Sequence, residues 1–218
     1  FVKTDTRSAY MHNKFCIFDD REIFTGSMNP TESDSSKNNN NILFITSFFL
    51  AKNYGTEFEE MWGGNFGDDG LVLYPQILFN NLTLENYFCP EDGCEDHIAD
   101  VLKEANESIV FLQFSFTSDI LGDILLEKSK TVSVQGIFEK MQISQYSEYK
   151  KLQQLDVLLD KNSGLLHHKV FVVDNAIVIT GSMNPSRNGN ENNDENILII
   201  HNKEIAGKFV EEYERLKE

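Results

Sequence analysis

Two stretches of the chain carry the same polar residues at the same spacing. The first reads HNKFCIFD and is followed by GSMN, and the second reads HHKVFVVD and is also followed by GSMN. The offset is constant, because His12 corresponds to His167 and Asn29 to Asn184, each pair 155 positions apart. Matching polar positions at one offset indicate an internal repeat, which must be interpreted before the rest of the sequence.

Each copy gathers groups that can bind and attack a phosphorus centre. Alternate residues of a strand point to the same face, so the histidine and the lysine of each His-x-Lys motif project together. The return strand of a predicted hairpin ends beside them and adds a hydroxyl and an amide. The candidate catalytic residues are His12, Lys14 and Asn29 in the first copy and His167, Lys169 and Asn184 in the second, with Ser27 and Ser182 as candidate substrate ligands.

Two such copies facing each other would form a site for phosphoryl transfer. The lysines and asparagines would stabilise the equatorial oxygens of the transferring phosphoryl group. One imidazole would attack phosphorus and give a covalent phosphohistidine, while the other would protonate the leaving oxygen and then activate water. Because the lysines supply the positive charge, the sequence predicts a reaction that needs neither a metal ion nor a cofactor.

The elements that must position these residues follow an α/β pattern. In the second copy, apolar runs such as SIVFLQFSF and VSVQGIF alternate with helical stretches such as SDILGDILLEKS, before a run of strands. This order predicts mixed β-sheets flanked by helices, in two pseudo-symmetric repeats with the active site at their interface. We interpret residues 1–84 as the C-terminal part of the first repeat plus a linker, and residues 85–218 as the second repeat.

The first repeat is predicted to be N-terminally incomplete. The segment that begins at Glu85 has no counterpart in the first copy, whereas the strands and the helix that end the second copy do. The stretch GGNFGDDG is the predicted linker, which continues without regular structure as far as Leu84. An incomplete repeat leaves an open sheet edge, so we expect either self-association or an additional N-terminal segment.

Composition limits the partners that the chain can hold. The sequence has 35 acidic and 19 basic residues and a net charge of −16, so a nucleic acid or an anionic membrane would need a locally basic site. No apolar run approaches the roughly 20 residues of a membrane-spanning helix. This predicts a soluble protein and leaves its compartment, cytoplasmic or extracytoplasmic, undecided. Cys16 is predicted to be a buried thiol, while Cys89 and Cys94 are close enough in sequence for a local disulfide.

The paired H-x-K-x-x-x-x-D and G-S-x-N motifs resemble the signature of the phospholipase D superfamily. The resemblance covers most of the chain and, because it occurs twice, is highly specific. It implies the two-repeat α/β fold of that superfamily, phosphodiester chemistry through a phosphohistidine, and the histidines, lysines and asparagines named above as the site. Asp19 and Asp174 belong to the catalytic motif, and the resemblance implies that they support it without contacting substrate.

One position differs between the copies. Twenty-eight residues after His167 stands Glu195, whereas twenty-eight residues after His12 stands Asn40. In the superfamily, this position orients the histidine through its far ring nitrogen, and a carboxylate there favours the imidazolium. We therefore predict that His167 is the general acid and His12 the neutral nucleophile. The alternative is that Asn40 marks a weakened first half.

The sequence leaves two enzymatic hypotheses for the phosphodiester that serves as substrate. The compact spacing looks similar to the nuclease and phosphodiesterase branch, and the Asp-x-Arg-Ser element that typically follows G-S-x-N in phospholipid synthases is missing. Nucleic acid or another soluble phosphodiester is therefore the favoured substrate. The alternatives are a phospholipase D or phosphatidyltransferase acting on a phospholipid head group, and a catalytically inactive phosphate-binding scaffold.

Overall fold

Two β-sheets of unequal size form the framework of the protein. A computed structural model describes residues 1–67, 70–79 and 82–218, so Asp68, Asp69, Asn80 and Asn81 of the predicted linker lie outside the described residues. The strands are β1 Phe15–Phe18, β2 Glu22–Gly26, β3 Ile42–Thr46, β4 Gln76–Phe79, β5 Leu82–Cys89, β6 Ser108–Gln113, β7 Ser133–Phe138, β8 Asp156–Leu159, β9 Lys169–Val173, β10 Ile177–Gly181 and β11 Glu195–His201. The helices are α1 Glu32–Ser36, α2 Phe48–Gly63, α3 Cys94–Lys103, α4 Asp119–Lys128, α5 Tyr149–Leu152, α6 Arg187–Glu191 and α7 Lys203–Lys217.

The topology of the two sheets confirms the predicted mixed α/β architecture. The small sheet has the antiparallel order β1-β2-β3. The large sheet has the order β4-β5-β11-β10-β9-β6-β7-β8, in which β6, β7 and β8 run parallel and the other neighbours pair antiparallel. Strands β1-β2-β3 are the counterparts of β9-β10-β11. None of the helices in the described ranges is both long and apolar enough to cross a membrane.

The repeated strands have the same register but different surroundings. Cys16 faces Phe24 across β1 and β2, as Phe171 faces Ile179 across β9 and β10. In the large sheet this face is buried under α3 and α4. In the small sheet it is exposed, and Phe44 on β3 keeps 59% of its surface accessible. The prediction that Cys16 is a buried thiol is therefore wrong, because its strand lies on an uncovered face.

The segment before the second repeat is more ordered than the sequence suggested. The sequence predicts a linker without regular structure as far as Leu84. Instead, β4 and β5 pair antiparallel and extend the large sheet. Ile77 and Leu84 lie opposite each other and are buried, with 4% and 1% of their surfaces exposed. Burial of this apolar pair explains why the two strands pair. Cys89 at the end of β5 forms the predicted disulfide with Cys94.

Candidate active site

The two motif histidines lie where the copies meet. The backbone N–H of His12 donates to the carbonyl of Asp194 at 3.0 Å, and that of His167 donates to the carbonyl of Asn39 at 2.7 Å. Asp194 and Asn39 occupy the same position in the two copies, so each histidine segment runs beside the other copy. This pseudo-symmetric crossing brings both motifs to one site.

The motif lysines are buried at this junction. Lys14 and Lys169 are 7% and 3% exposed, and each Nζ donates to the carbonyl oxygen of the histidine two residues before it, at 2.5 and 2.8 Å. Burial lowers the pKa of Lys14 to about 8. Burial and the charge of Lys14 also place the pKa of Lys169 well below its ordinary value. The structure therefore holds two buried amino groups at one junction, and binding of an anion beside them would favour their positively charged forms.

Glu195 pairs with the histidine of the other copy. Its Oε2 lies 2.7 Å from Nδ1 of His12, and its Oε1 accepts a hydrogen bond from Asn193 at 3.1 Å. The prediction that Glu195 orients His167 is wrong, because the strand that carries Glu195 crosses beside His12. A fully buried carboxylate at this distance can accept the proton on Nδ1 of His12 and fix the orientation of the ring.

His167 has a drier environment than His12. Its side chain is 8% exposed, against 25% for His12, and its ring meets Phe114 edge to face at 4.8 Å between centroids. Burial and the nearby charge of Lys169 lower the pKa of His167 well below its ordinary value, while Asp34 opposes the shift. Asn40 does not orient this ring, because its amide donates to the carbonyl of Asp34 at 2.7 Å.

The Gly-Ser-Met-Asn turns closely approach the neighbouring strand of their own copy. Gly26 and Gly181 have φ of 144° and 154°, and a Cβ at either would meet a backbone carbonyl at 2.3 or 2.1 Å. Only glycine fits there, which explains its place in both motifs. Within the described part of the chain, Asn184 has a buried Oδ1 without a hydrogen-bond partner, and this oxygen can accept a hydrogen bond from a ligand.

Ser27 and Ser182 have a structural role that differs from the predicted one. Both are fully buried. Each hydroxyl bonds to an asparagine of its own copy, one residue after the position that differs between the copies. Ser27 Oγ donates to Oδ1 of Asn41 at 3.0 Å, and Ser182 Oγ accepts the backbone N–H of Asn196 at 3.0 Å. The expectation that these serines bind substrate is corrected, because their hydroxyls are used to hold the neighbouring strand.

Asp19 and Asp174 lie at the turns of the two hairpins, at the ends of β1 and β9 away from the histidines. Both have left-handed backbone conformations, with φ of 51° and 53°. The Asp174 carboxylate accepts backbone N–H groups at the start of β6 and in the loop before it, including that of Ser108 at 2.9 Å. Burial opposes the shift, but these bonds lower the pKa of Asp174. Their assignment to the catalytic set is therefore corrected, and the predicted supporting role is consistent with the geometry of Asp174.

Two functional features escaped the sequence analysis. Asn41 and Asn196 cross between the copies: Asn41 donates to Thr180 at 2.9 Å, and Asn196 accepts from Tyr54 at 2.9 Å. Their common offset of 155 was a visible signal. Asp34 lies beside His167. The sequence signal for Asp34 was a difference between the copies, because the second copy has a glycine at the corresponding position.

The chain matches the family described as "Cardiolipin synthase, PLD-like domain" over residues 1–62 and 98–217. It is 29% identical over 186 residues to the phospholipase D of Rickettsia bellii, an alignment that covers 78% of this chain and 92% of that protein. It is 31% identical over 152 residues to the mitochondrial cardiolipin hydrolase of Xenopus tropicalis, covering 66% of this chain and 69% of that protein.

Two solved structures share the fold. Phosphatidylserine synthase of Haemophilus influenzae superposes with a TM-score of 0.70 at 13% identity, covering 94% of this chain and 61% of that chain. The phospholipase D family member Nuc of Salmonella typhimurium superposes with a TM-score of 0.58 at 22% identity, covering 62% of this chain and 93% of that chain. The family match spans most of the sequence and includes both motifs, so the chain belongs to the phospholipase D-like domain family.

Proposed function

We propose that the chain is a metal-independent phosphodiesterase that hydrolyses nucleic acid or another phosphodiester through a covalent phosphohistidine. The observation that carries this proposal is the meeting of both His–Lys pairs at the junction between the copies, where the charge of Lys14 acts on Lys169 and on His167. Two buried ammonium groups held at one site favour an anionic ligand whose charge offsets their repulsion.

In the first step, Nε2 of neutral His167 attacks phosphorus and forms a P–N bond. The P–O bond to the leaving group breaks, and His12, as the imidazolium paired with Glu195, transfers a proton to the leaving oxygen. In the second step, neutral His12 takes a proton from water as the water oxygen attacks phosphorus. The P–N bond breaks, and His167 and the His12 imidazolium are both restored.

This assignment exchanges the roles that the sequence suggested for the two histidines. The chemical rule is unchanged, since the acid is still the histidine that lies within hydrogen-bond distance of a carboxylate. Glu195 bonds to His12, whereas burial favours the neutral form of His167. His12 is thus proposed as general acid and base, and His167 as nucleophile.

The remaining candidate residues bind the non-bridging oxygens in this proposal. Lys14 and Lys169 neutralise their charge, as two cations do in other phosphoryl-transfer sites. Asn184 donates its amide to the phosphoryl group, and Asn29 occupies the equivalent position in the first copy. The division of the chain into repeats at residues 1–84 and 85–218 is part of the same proposal.

A phospholipid is the second candidate substrate. Relatives of this chain are named phospholipase D and mitochondrial cardiolipin hydrolase. In addition, an apolar groove with a volume of about 320 Å³ lies along the segment that carries His12, and its lining includes Phe15, Phe58, Trp62 and Phe66. Such a groove suits an acyl chain, because burial of hydrocarbon is favourable by about 0.8 kcal/mol per methylene.

The test is hydrolysis of bis(p-nitrophenyl) phosphate in the presence of a chelator. We expect wild type to turn over and His12→Ala and His167→Ala to lose activity by about a thousandfold or more, because each removes a group that reacts directly. His97→Ala is the matched control, since His97 lies on α3 and stacks on Tyr87 with ring centroids 3.5 Å apart. Equal rates in wild type and both active-site variants would refute the enzyme and leave the scaffold.

The histidine roles and the substrate need separate measurements. Rapid quenching with a radiolabelled phosphodiester should place the label on His167, and label on His12 would reverse the assignment. Parallel incubation with DNA, RNA and phosphatidylcholine vesicles distinguishes the substrate classes. Turnover of vesicles alone would select the phospholipid candidate.

A further inference from the structure

We propose that Asp34 is the positioning residue of His167, replacing the carboxylate that the first copy lacks at Asn40. This inference rests on the proposed function and deepens it, since it assigns an orienting group to the proposed nucleophile. Asp34 Oδ2 lies 3.6 Å from Nδ1 of His167, across the junction between the copies. Each histidine then faces a carboxylate from the opposite copy, Glu195 for His12 and Asp34 for His167.

The Asp34 carboxylate is held firmly in place. It is 5% exposed, its Oδ2 accepts the backbone N–H of Asn29 at 2.6 Å, and its Oδ1 accepts the amide of Asn38 at 2.5 Å. It is therefore attached to the Gly-Ser-Met-Asn turn of the first copy. These hydrogen bonds favour the ionised carboxylate, whose pKa is lowered although burial opposes the shift.

Asn40 cannot be the hydrogen-bond partner of His167, because its amide already makes two other hydrogen bonds. Its Nδ2 donates to the carbonyl oxygens of Asp34 and Asn38 at 2.7 and 3.3 Å, which fixes the amide within its own loop. In the described part of the chain, Nδ1 of His167 is buried without a hydrogen-bond partner. A buried ring nitrogen of this kind needs an acceptor, and the Asp34 carboxylate faces it.

The second copy cannot use the same solution. The counterpart of Asp34 is Gly189, and a Cβ at Gly189 would meet the carbonyl oxygen of Asn184 at 2.3 Å. A side chain is excluded there, so the second copy carries its carboxylate at Glu195 instead. The two copies thus supply the same chemical group from two different positions.

The 3.6 Å separation is longer than a hydrogen bond. Contacts of catalytic histidines often tighten only when substrate binds or charge develops. Attack by Nε2 leaves positive charge on the phosphorylated ring, with a proton on Nδ1. Asp34 would accept that N–H and stabilise the charge, as Glu195 does for His12.

The first experiment needs no activity and uses the wild-type protein. Nitrogen NMR of histidine-labelled protein reports which ring nitrogen of His167 carries the proton, with His167→Gln used to assign its signal. We expect the proton on Nδ1, facing Asp34. A proton on Nε2 would overturn the inference even if the protein proves to be an active phosphodiesterase.

The second experiment moves the carboxylate. Asp34→Asn should lower kcat by about tenfold or more with a smaller change in KM, because it removes support for charge that develops during attack. Glu32→Gln, which removes an exposed charge from the same short helix, should leave kcat unchanged. Asp34→Asn with Asn40→Glu places a carboxylate at the position that Glu195 occupies in the second copy, and should recover most of the lost kcat.

The outcomes separate this inference from the proposed function. Activity in wild type with an unchanged kcat in Asp34→Asn refutes Asp34 and leaves the phosphodiesterase intact. If Asp34→Asn unfolds, the tautomer of His167 in wild type still decides the question. Inactivity of wild type on every phosphodiester refutes the function, while the NMR result stands by itself.

Discussion

At the scale of single residues, burial gives the two histidines different chemical characters. His12 keeps 25% of its side chain exposed and lies 2.7 Å from a carboxylate, whereas His167 keeps 8% and has its nearest carboxylate at 3.6 Å. A partly solvated imidazole with a carboxylate partner suits proton transfer, and a desolvated neutral one suits attack. A site built from two copies of one motif therefore obtains two roles from local differences in burial and in carboxylate contact.

The sequence predicted which residues meet, but not how they pair. Equal spacing identified His12, Lys14, His167 and Lys169, because the repeat makes chance an implausible explanation. It could not show that Glu195 reaches His12, since that depends on strands crossing between copies, a property of tertiary structure. Spacing within one copy cannot distinguish a contact made inside that copy from one made across the junction.

The lowered pKa of Lys14 predicts an anion affinity that falls in alkaline solution. Its pKa of about 8 in the free protein means that Lys14 loses its charge above that pH, and an anion must then bind together with a proton. We expect the inhibition constant of sulfate to rise by up to about tenfold per pH unit above pH 8, the range in which Lys14 loses its charge. Sulfate is chosen because it does not titrate in this range.

A matched pair of variants tests the assignment to Lys14. Lys14→Arg should keep its charge and flatten the alkaline rise, since arginine does not deprotonate in proteins. Lys3→Arg, near the apolar groove, should leave the profile as in wild type. A profile that stays unchanged in Lys14→Arg would mean that another group governs anion binding.

At the scale of elements, the hairpins of the two copies have turns of the same left-handed conformation but different anchoring. Asp174 accepts backbone N–H groups of Asn106, Glu107 and Ser108, which fastens the loop before β6 to the end of β9. Asp19, at the same turn in the first copy, is exposed. The motif aspartate therefore supports the fold in the second copy, and its chemical type alone did not reveal this.

Substitution of the two turn aspartates should affect stability unequally. Asp174→Asn keeps a residue that tolerates left-handed φ but weakens the bonds to three backbone donors, so we expect a loss of about 1–3 kcal/mol in the free energy of unfolding. Asp19→Asn should change it by less than about 0.5 kcal/mol. Urea denaturation at neutral pH measures both, and assays of the folded variants should give the kcat of wild type.

The direction of the pH effect follows from the lowered pKa of Asp174. An acid with a lowered pKa in the folded state stabilises the fold above its unfolded value of about 3.8, and this contribution is lost as pH falls through the folded value. The difference between wild type and Asp174→Asn should therefore shrink in acid. An equal loss for Asp19→Asn, or a large fall in kcat for Asp174→Asn, would contradict the supporting role.

The sheets also show what the sequence could establish about the fold. Strand periodicity and the repeat predicted the mixed α/β architecture, since each strand needs local signals only. The exposure of Cys16 and Phe44 was not predictable in this way, because it depends on whether helices cover that face. That an additional segment or a second copy completes this sheet stays a prediction.

At the scale of the whole molecule, buried polar groups behind the catalytic strands join the two copies. Asn196 is fully buried and donates to Oδ1 of Asn13 at 2.7 Å, while Asn13 donates to Oε1 of Glu57 at 3.0 Å. Glu57 lies on α2 of the first copy, and Glu91 follows β5 of the second. The relative placement of the histidines thus depends on a polar network that spans the interface.

Because of this network, we expect the Glu57 carboxyl to reduce the stability of the fold as pH rises. Burial and the neighbouring Glu91 raise the pKa of Glu57 above its ordinary value of 4.5. The folded protein therefore keeps this proton after the unfolded chain has lost it, so the contribution of Glu57 becomes less favourable as pH rises above 4.5.

Glu57→Gln cannot ionise and retains an oxygen for Asn13. Relative to wild type, it should gain about 1–3 kcal/mol in unfolding free energy between about pH 5 and pH 8. Glu59→Gln, at an exposed position on the same helix, should follow wild type across this range. Urea titrations at each pH give the difference directly, and a Glu57→Gln curve parallel to that of wild type would mean that this carboxyl is ionised in the folded protein.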